Sequence, residues 1–498
     1  MDLTWQQCQA LVARCLYKFL LDGTLKAYGV IMEETVTSFQ AQHYLIGCAF
    51  SLQTGIGYLI APLASTFDRR VHPRIVASIG GFLAGLGFFG RAVLPSRNLW
   101  QLFACLSLSG VGFGLVNVIT VISLKETFES AYPTAYSVTL LPSYIGIAVM
   151  PPLLEYLQRE YGERIGMIVF GVLSWTLMLS GLFTPSGKTD SKDETEMTDI
   201  EILQTDQKGY DSTQGIQKQS QDADYGGLLN ETTDIGDYTE KSKLLRNSAT
   251  TKEGEANNIK MRESEKKGKL NKIIDAKRIL KAWVLIVKNH PESLFLLFIT
   301  ILADYGFTSW SIFLVPYGEY LGLDSETAVW LSTLGGIAGL VGRFFCIFLF
   351  YIHRMKLPIG LLVPTLCVTS AYVISLFTNA FLALAVVSIL SGFGLSVQAC
   401  VVASWIHYCV CDDNFKTALY GFYVLAGMAT LMGGIITGGI IDISGSYRVS
   451  FASLAILSFF QATAVLVWLF CPSVPSPEKE ASSRKDKNTN CCSGNLLQ

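Results

Sequence analysis

The sequence predicts an all-α polytopic membrane protein with twelve transmembrane helices in two pseudo-symmetric six-helix halves. Three observations predict it. The composition is too apolar for a water-soluble domain, twelve apolar runs are divided six and six by a long polar stretch, and a Gly-rich motif recurs at the same ordinal place in each half. Of 498 residues, 50% are hydrophobic and only 16% charged, where soluble domains carry about 25% charged residues. Mean hydropathy is +0.39. The net charge of -2 says nothing about nucleic acid, and with no basic stripe interleaved with aromatics no such partner is expected. The 12 cysteines sit mostly inside apolar runs without metal-ligand spacing, so they read as small buried apolar residues, and neither metal nor cofactor is expected.

The runs of the first half are Leu11–Ile31, His43–Ser65, Ile75–Leu94, Leu99–Ile122, Pro133–Leu154 and Arg164–Thr184. Those of the second are Glu292–Pro316, Thr327–Tyr351, Leu357–Phe377, Ala380–Val402, Phe415–Ile440 and Ser450–Phe470. Each is near the ~20 residues that a helix needs to cross a bilayer. The expected division is therefore a first bundle over 1–185, a loop over 186–290, a second bundle over 291–471 and a tail over 472–498. The first run is full-length and lacks a small-residue cleavage site, so it reads as a retained span and not as a signal peptide.

The recurring motif is Gly112-Phe113-Gly114-Leu115 in the fourth run and Gly392-Phe393-Gly394-Leu395 in the tenth, each accompanied by a Ser-Gly, Ser109-Gly110 and Ser391-Gly392. With the six-plus-six count, it reads as an internal duplication, the parallel-repeat architecture of major facilitator carriers. Pro142, Pro151 and Pro152 in the fifth run, and Gly433, Gly434, Gly438 and Gly439 in the eleventh, invite bends.

Orientation follows from the connector after the second run, where Arg69, Arg70 and Arg74 cluster. Short loops rich in Arg and Lys stay cytoplasmic, so both termini and the long loop are expected on that side. Asp68, Arg69 and Arg70 form the expected gating loop. The loop begins acidic and rich in Ser and Thr, a composition that cannot bury enough apolar surface to fold. Its end repeats apolar residues at three and four from Leu270 to Val287 among lysines, which predicts an amphipathic helix near 269–288 lying on the anionic leaflet.

Charge inside the apolar runs carries the functional signal. The first run holds Arg14, Lys18, Asp22 and Lys26, every fourth residue on one drifting helix face. Arg14 and Lys18 lie near its start and are expected to snorkel. Asp22 and Lys26 lie too deep for that. Either they form an i, i+4 ion pair, or Lys26 lines a path for an anion. In the second half, Asp304 and Arg343 lie roughly 12 to 18 Å from the cytoplasmic ends of their helices, at 1.5 Å per residue, so adjacent antiparallel spans can bring them together. They are either a structural pair or a working one, in which Arg343 offers a guanidinium fork to a carboxylate and Asp304 holds that fork or takes a proton. The membrane-depth residues include neither a nucleophile–base pair nor a metal cluster, so no enzyme is expected.

The segment Gly23-Thr24-Leu25-Lys26-Ala27-Tyr28-Gly29-Val30 resembles the first helix of monocarboxylate transporters, in which a lysine faces the substrate cavity. Arg343 matches the family's intramembrane arginine of the eighth helix, and Gly439-Ile440-Ile441-Asp442-Ile443-Ser444-Gly445-Ser446-Tyr447 resembles the end of its eleventh. The resemblance skips the loop and the tail. It implies Lys26 and Arg343 as substrate-binding residues, while Asp22 and Asp304 stand as candidate proton or charge-pair sites on the reading of their depth and spacing alone. Its departures are specific. The family's opening Asp-Gly-Gly-Trp-Gly-Trp appears only as Asp2-Leu3-Thr4-Trp5, and the basic cluster before the fifth helix is Glu129-Ser130-Ala131-Tyr132. The aspartate that precedes the arginine by one turn in proton-coupled members is Gly339, so coupling would need Asp304 or Asp22.

The expected function is a multi-pass plasma-membrane carrier, moving a small monocarboxylate or related carboxylated solute by alternating access. A carrier of an unrelated solute, or a non-transporting sensor or scaffold acting through the long loop, are the alternatives. The expected partners are a small organic anion and the lipid bilayer. Some members of the resembled family reach the surface with a single-span immunoglobulin-type protein, which makes such an ancillary protein a candidate partner.

Overall fold

A capping box starts the first helix: the Thr4 N–H donates to Gln7 Oε1 at 3.0 Å, and the Gln7 N–H to Thr4 Oγ1 at 3.4 Å. The computed structural model describes residues 4–63, 72–93, 98–128, 131–183, 284, 288, 292–351, 357–409 and 415–470. Among them the elements are all helical. The first half contains α1 (Trp5–Ala27), α2 (Met32–Phe39), α3 (His43–Leu59), α4 (Pro73–Val93), α5 (Leu99–Phe128), α6 (Tyr132–Thr139), α7 (Leu141–Tyr161), α8 (Glu163–Trp175) and α9 (Leu177–Phe183). The second contains α10 (Glu292–Tyr320), α11 (Ser325–Tyr351), α12 (Leu357–Leu376), α13 (Phe381–Cys409), α14 (Phe415–Ser444) and α15 (Tyr447–Phe470).

Eleven helical stretches among the described residues are long and apolar enough to cross a membrane. The twelfth span is α1, whose 23 residues are long enough but carry four charges. The six-plus-six expectation therefore holds. The gating-loop residues Asp68, Arg69 and Arg70, the acidic loop, the amphipathic stretch near 269–288 and the tail lie almost entirely outside the described residues.

Three local features differ from expectation. The fifth span is two helices, α6 and α7, parted at Leu140, two residues before Pro142. Pro142 has no N–H to offer the carbonyl four residues back and its ring crowds that carbonyl, and the span runs on through Pro151 and Pro152 to Tyr161, where Gly162 at φ 83° ends it. A short amphipathic helix, α2, joins the first two spans and ends at Gln40 in the left-handed region. The eleventh span is one uninterrupted helix, α14. Its glycines serve close approach and do not break it: a Cβ at Gly427 would stand 2.8 Å from the Gly55 carbonyl oxygen, and one at Gly434 would overlap that of Gly47.

The halves meet along two seams, α3 against α14 and α7 against α11. Both join the second span of one half to the fifth span of the other, as a twofold duplication requires. The register of the repeat is carried by its Ser-Gly pairs. Gly110 lies on Gln53 of the second span, and Gly392 lies on Gly335 of the eighth; Gly112 lies on α4, and Gly394 on α12. Ser109-Gly110 is thus the counterpart of Ser391-Gly392, two residues out of step with the Gly-Phe-Gly-Leu match.

Candidate substrate cavity

A cavity of about 110 Å³ lies between the halves, on the side of the bundle midplane away from α2. Lys18, Asp22, Tyr58, Tyr136 and Tyr144 line it from the first half, and Asp304, Phe307, Arg343 and Tyr423 from the second. Tyr58 and Tyr423 stack across the seam with ring centroids 5.5 Å apart.

The charges of α1 are arranged differently from the sequence expectation. Arg14 and Lys18 do not snorkel; both are buried. Arg14 Nη1 donates to Asn117 Oδ1 at 2.6 Å and to the Asn117 carbonyl and Thr120 Oγ1 at 3.3 Å, tying α1 to α5. Its guanidinium carbon also lies 4.8 Å from the centroid of the Tyr17 ring. Charged hydrogen bonds of this kind contribute ~1.5–3 kcal/mol. Asp22 pairs with Lys18, at 2.8 Å, and not with Lys26.

Lys26 lies outside the cavity lining, toward the α2 end, and is fully buried. Its ammonium donates to the Trp310 carbonyl at 2.8 Å and stands 3.4 Å from the centroid of the Trp310 indole. Among the described residues it makes no ion pair. Trp310 belongs to α10, so this contact joins the halves, and separate hydrogen bonds tie α1 to α3. Tyr28 donates to Gln53 Oε1, and Gln53 Nε2 donates to Thr24 Oγ1 at 3.1 Å.

Asp304 and Arg343 share the cavity without forming the expected ion pair. Asp304 Oδ2 is buried without a hydrogen-bond partner, as are Arg343 Nε and Nη1. The Arg343 guanidinium carbon lies 5.4 Å from the Tyr144 ring centroid. That ring also occupies the space one turn away: a Cβ at Gly339 would overlap it. A carboxylate at this position is therefore excluded by packing unless Tyr144 moves.

The α2 end is closed by a polar cluster that sequence reading missed. His43 and Tyr44 donate their backbone N–H groups to Asp442 Oδ1 and Oδ2, at 2.9 and 2.8 Å, and His43 Nδ1 lies 2.8 Å from Oδ1. Tyr447 donates to Glu33, and His43 Nε2 is 3.5 Å from the same carboxylate. Burial pushes the Glu33 carboxyl up, but the hydrogen bonds from His43 and Tyr447 outweigh it and hold the group below the usual range. On the second seam, Arg159 Nη1 donates to Glu326 Oε2 at 2.8 Å.

Monocarboxylate transporter 7 of Homo sapiens is 23% identical over 452 residues, covering 87% of this chain and 80% of its own length. Monocarboxylate transporter 14 of Homo sapiens is 27% identical over 216 residues, 43% of this chain, and the match takes in 42% of that protein. A solved structure of a POT family transporter in complex with 5-aminolevulinic acid superposes with a TM-score of 0.63 at 11% identity, covering 93% of this chain and 95% of that one, which shows the shared fold. The family model described as the Major Facilitator Superfamily matches residues 15–412, and the chain belongs to that superfamily of membrane transporters.

Proposed function

We propose that this protein carries a small carboxylated organic solute across the plasma membrane by alternating access, with its termini and long loop in the cytoplasm. The observation that carries the reading is Arg343, a buried guanidinium on a cavity between the two halves, with Nε and Nη1 lacking partners. A buried cation with vacant donors is costly, and a carboxylate relieves that cost through charge-assisted hydrogen bonds. The relatives named monocarboxylate transporters support the substrate class. On this reading the α2 end is extracellular and closed, Lys26 belongs to its seal, and the carboxylate meets Lys26 only when α10 withdraws. With Tyr144 filling the place beside Gly339, transport runs chiefly down the solute's own gradient.

The test is uptake of radiolabelled small carboxylates by cells expressing the wild type or Arg343→Gln, normalised to surface protein. Loss of at least tenfold in the variant is expected. Equal uptake by both proteins would overturn the role of Arg343, and transport of no carboxylate would overturn the substrate class and favour a sensor acting through the loop.

A further inference from the structure

We infer that the preferred solute is a zwitterion, with its carboxylate on Arg343 and a protonated amine on Asp304. This deepens the proposed function and rests on it. The charges of the cavity carry the argument. Four ionisable side chains of opposite signs line it: Lys18, Asp22, Asp304 and Arg343. Lys18 and Asp22 neutralise one another at 2.8 Å. One cation and one anion remain, and they are not bonded to each other. Each instead presents buried vacant atoms, the Nε and Nη1 donors of Arg343 and the Oδ2 acceptor of Asp304.

A solute with a carboxylate alone satisfies half of this arrangement. It pairs with Arg343 but leaves Asp304 Oδ2 buried without a donor and adds a second negative charge to the enclosed space. A positively charged amine on the same solute supplies the missing donor and restores neutrality. The walls suit such a group as well. Tyr58, Tyr136, Phe307 and Tyr423 also line the space, and aromatic rings attract cations. Asp304 and Arg343 come from neighbouring helices, α10 and α11, and do not touch, so the solute bridges them with its two charges apart. The cavity of about 110 Å³ admits a small solute.

The experiment compares β-alanine, lactate and ethylamine in proteoliposomes holding the full chain, at fixed voltage and with equal pH on both sides. Wild-type uptake of β-alanine is expected to exceed that of lactate and of ethylamine by at least tenfold and to carry no current. In Asp304→Asn the ratio of β-alanine to lactate uptake should fall at least tenfold, whereas Arg343→Gln should lose both. Lactate uptake equal to or above that of β-alanine in the wild type would overturn the zwitterion while leaving a carboxylate carrier standing. In a second arm with an imposed inward proton gradient, acceleration of lactate that is lost in Asp304→Asn would overturn it in favour of a proton site. Transport of neither carboxylate would overturn the underlying reading itself. If Asp304→Asn does not fold, the wild-type ratio alone decides.

Discussion

Asp442, near the end of α14, caps the first turn of α3 at His43, although the two residues are 399 positions apart and in opposite halves. Helix N-termini leave their first N–H groups without intrahelical partners, and a Ser, Thr, Asp or Asn at the start of the same helix often supplies one acceptor. Here the acceptor comes from the other half, so the cap exists only while this end of the bundle is closed. Asp442→Ala should lower stability by about 1 kcal/mol and loosen the α2 end. A cysteine placed on the cavity wall by Ser143→Cys should then react at least twofold faster with an impermeant thiol reagent applied from that side.

Glu33 belongs to the same closure, and its contribution has a definite pH window. Its carboxyl is held below the usual range, below the ~4.3 of an unfolded Glu. The stabilisation is therefore fully present above the unfolded value and is lost as pH falls through the lowered folded value. The same carboxylate holds His43 above the ordinary imidazole value, a stabilisation full below the unfolded value and lost as pH rises through the folded one. The difference in melting temperature between wild type and Glu33→Gln should therefore grow as pH falls toward 6 and shrink only in strong acid. A difference that shrinks near pH 6 would contradict this assignment.

Lys26 is held by a carbonyl and an indole of one residue, Trp310. Trp310→Leu keeps the carbonyl and removes the aromatic face, which should cost about 0.5–2 kcal/mol in addition to lost packing. Lys26→Gln should do the same to the ring contact. The two changes should be less than additive in a double-mutant melting cycle, since both remove one interaction. Full additivity would separate Lys26 from Trp310.

Gly339 and Tyr144 form a pair in which one residue's size requires the other's absence of a side chain. Gly339→Asp alone should reduce surface expression severely. Combined with Tyr144→Ala it should recover, with a carboxylate now one turn from Arg343, and uptake should become stimulated by external acid. Good expression of Gly339→Asp alone would show that Tyr144 yields easily.

The spans were legible because a bilayer demands long apolar helices and little else has their length and composition. α2 was not legible, as eight residues between two spans give a weak periodic signal. Asp22 stands four residues from both Lys18 and Lys26, so local spacing favours neither pair; Trp310 on α10 decides the matter by claiming Lys26. Arg14 looked free to snorkel because Asn117 and Thr120 are over a hundred positions away. The vacancy of Arg343 depends equally on partners from distant helices. The prolines of the fifth span were readable as irregularity, but the glycines of α14 were not readable as contacts, since a bend and a close approach select the same residue.

Those glycine contacts bear on how the two halves can move. Along α3 and α14, Gly47 meets Gly434 and Gly55 meets Gly427, backbone against backbone at two heights. Side chains that interlock must climb over one another when helices shift. Where backbone meets backbone the seam has fewer such teeth, while Leu431 on Gly55 and the Tyr58–Tyr423 stack interlock beside those points. It follows that a single methyl group acts at the backbone contacts as a shim. At Gly434 it would wedge the seam on the α2 side of the middle of α14, and at Gly427 on the other side.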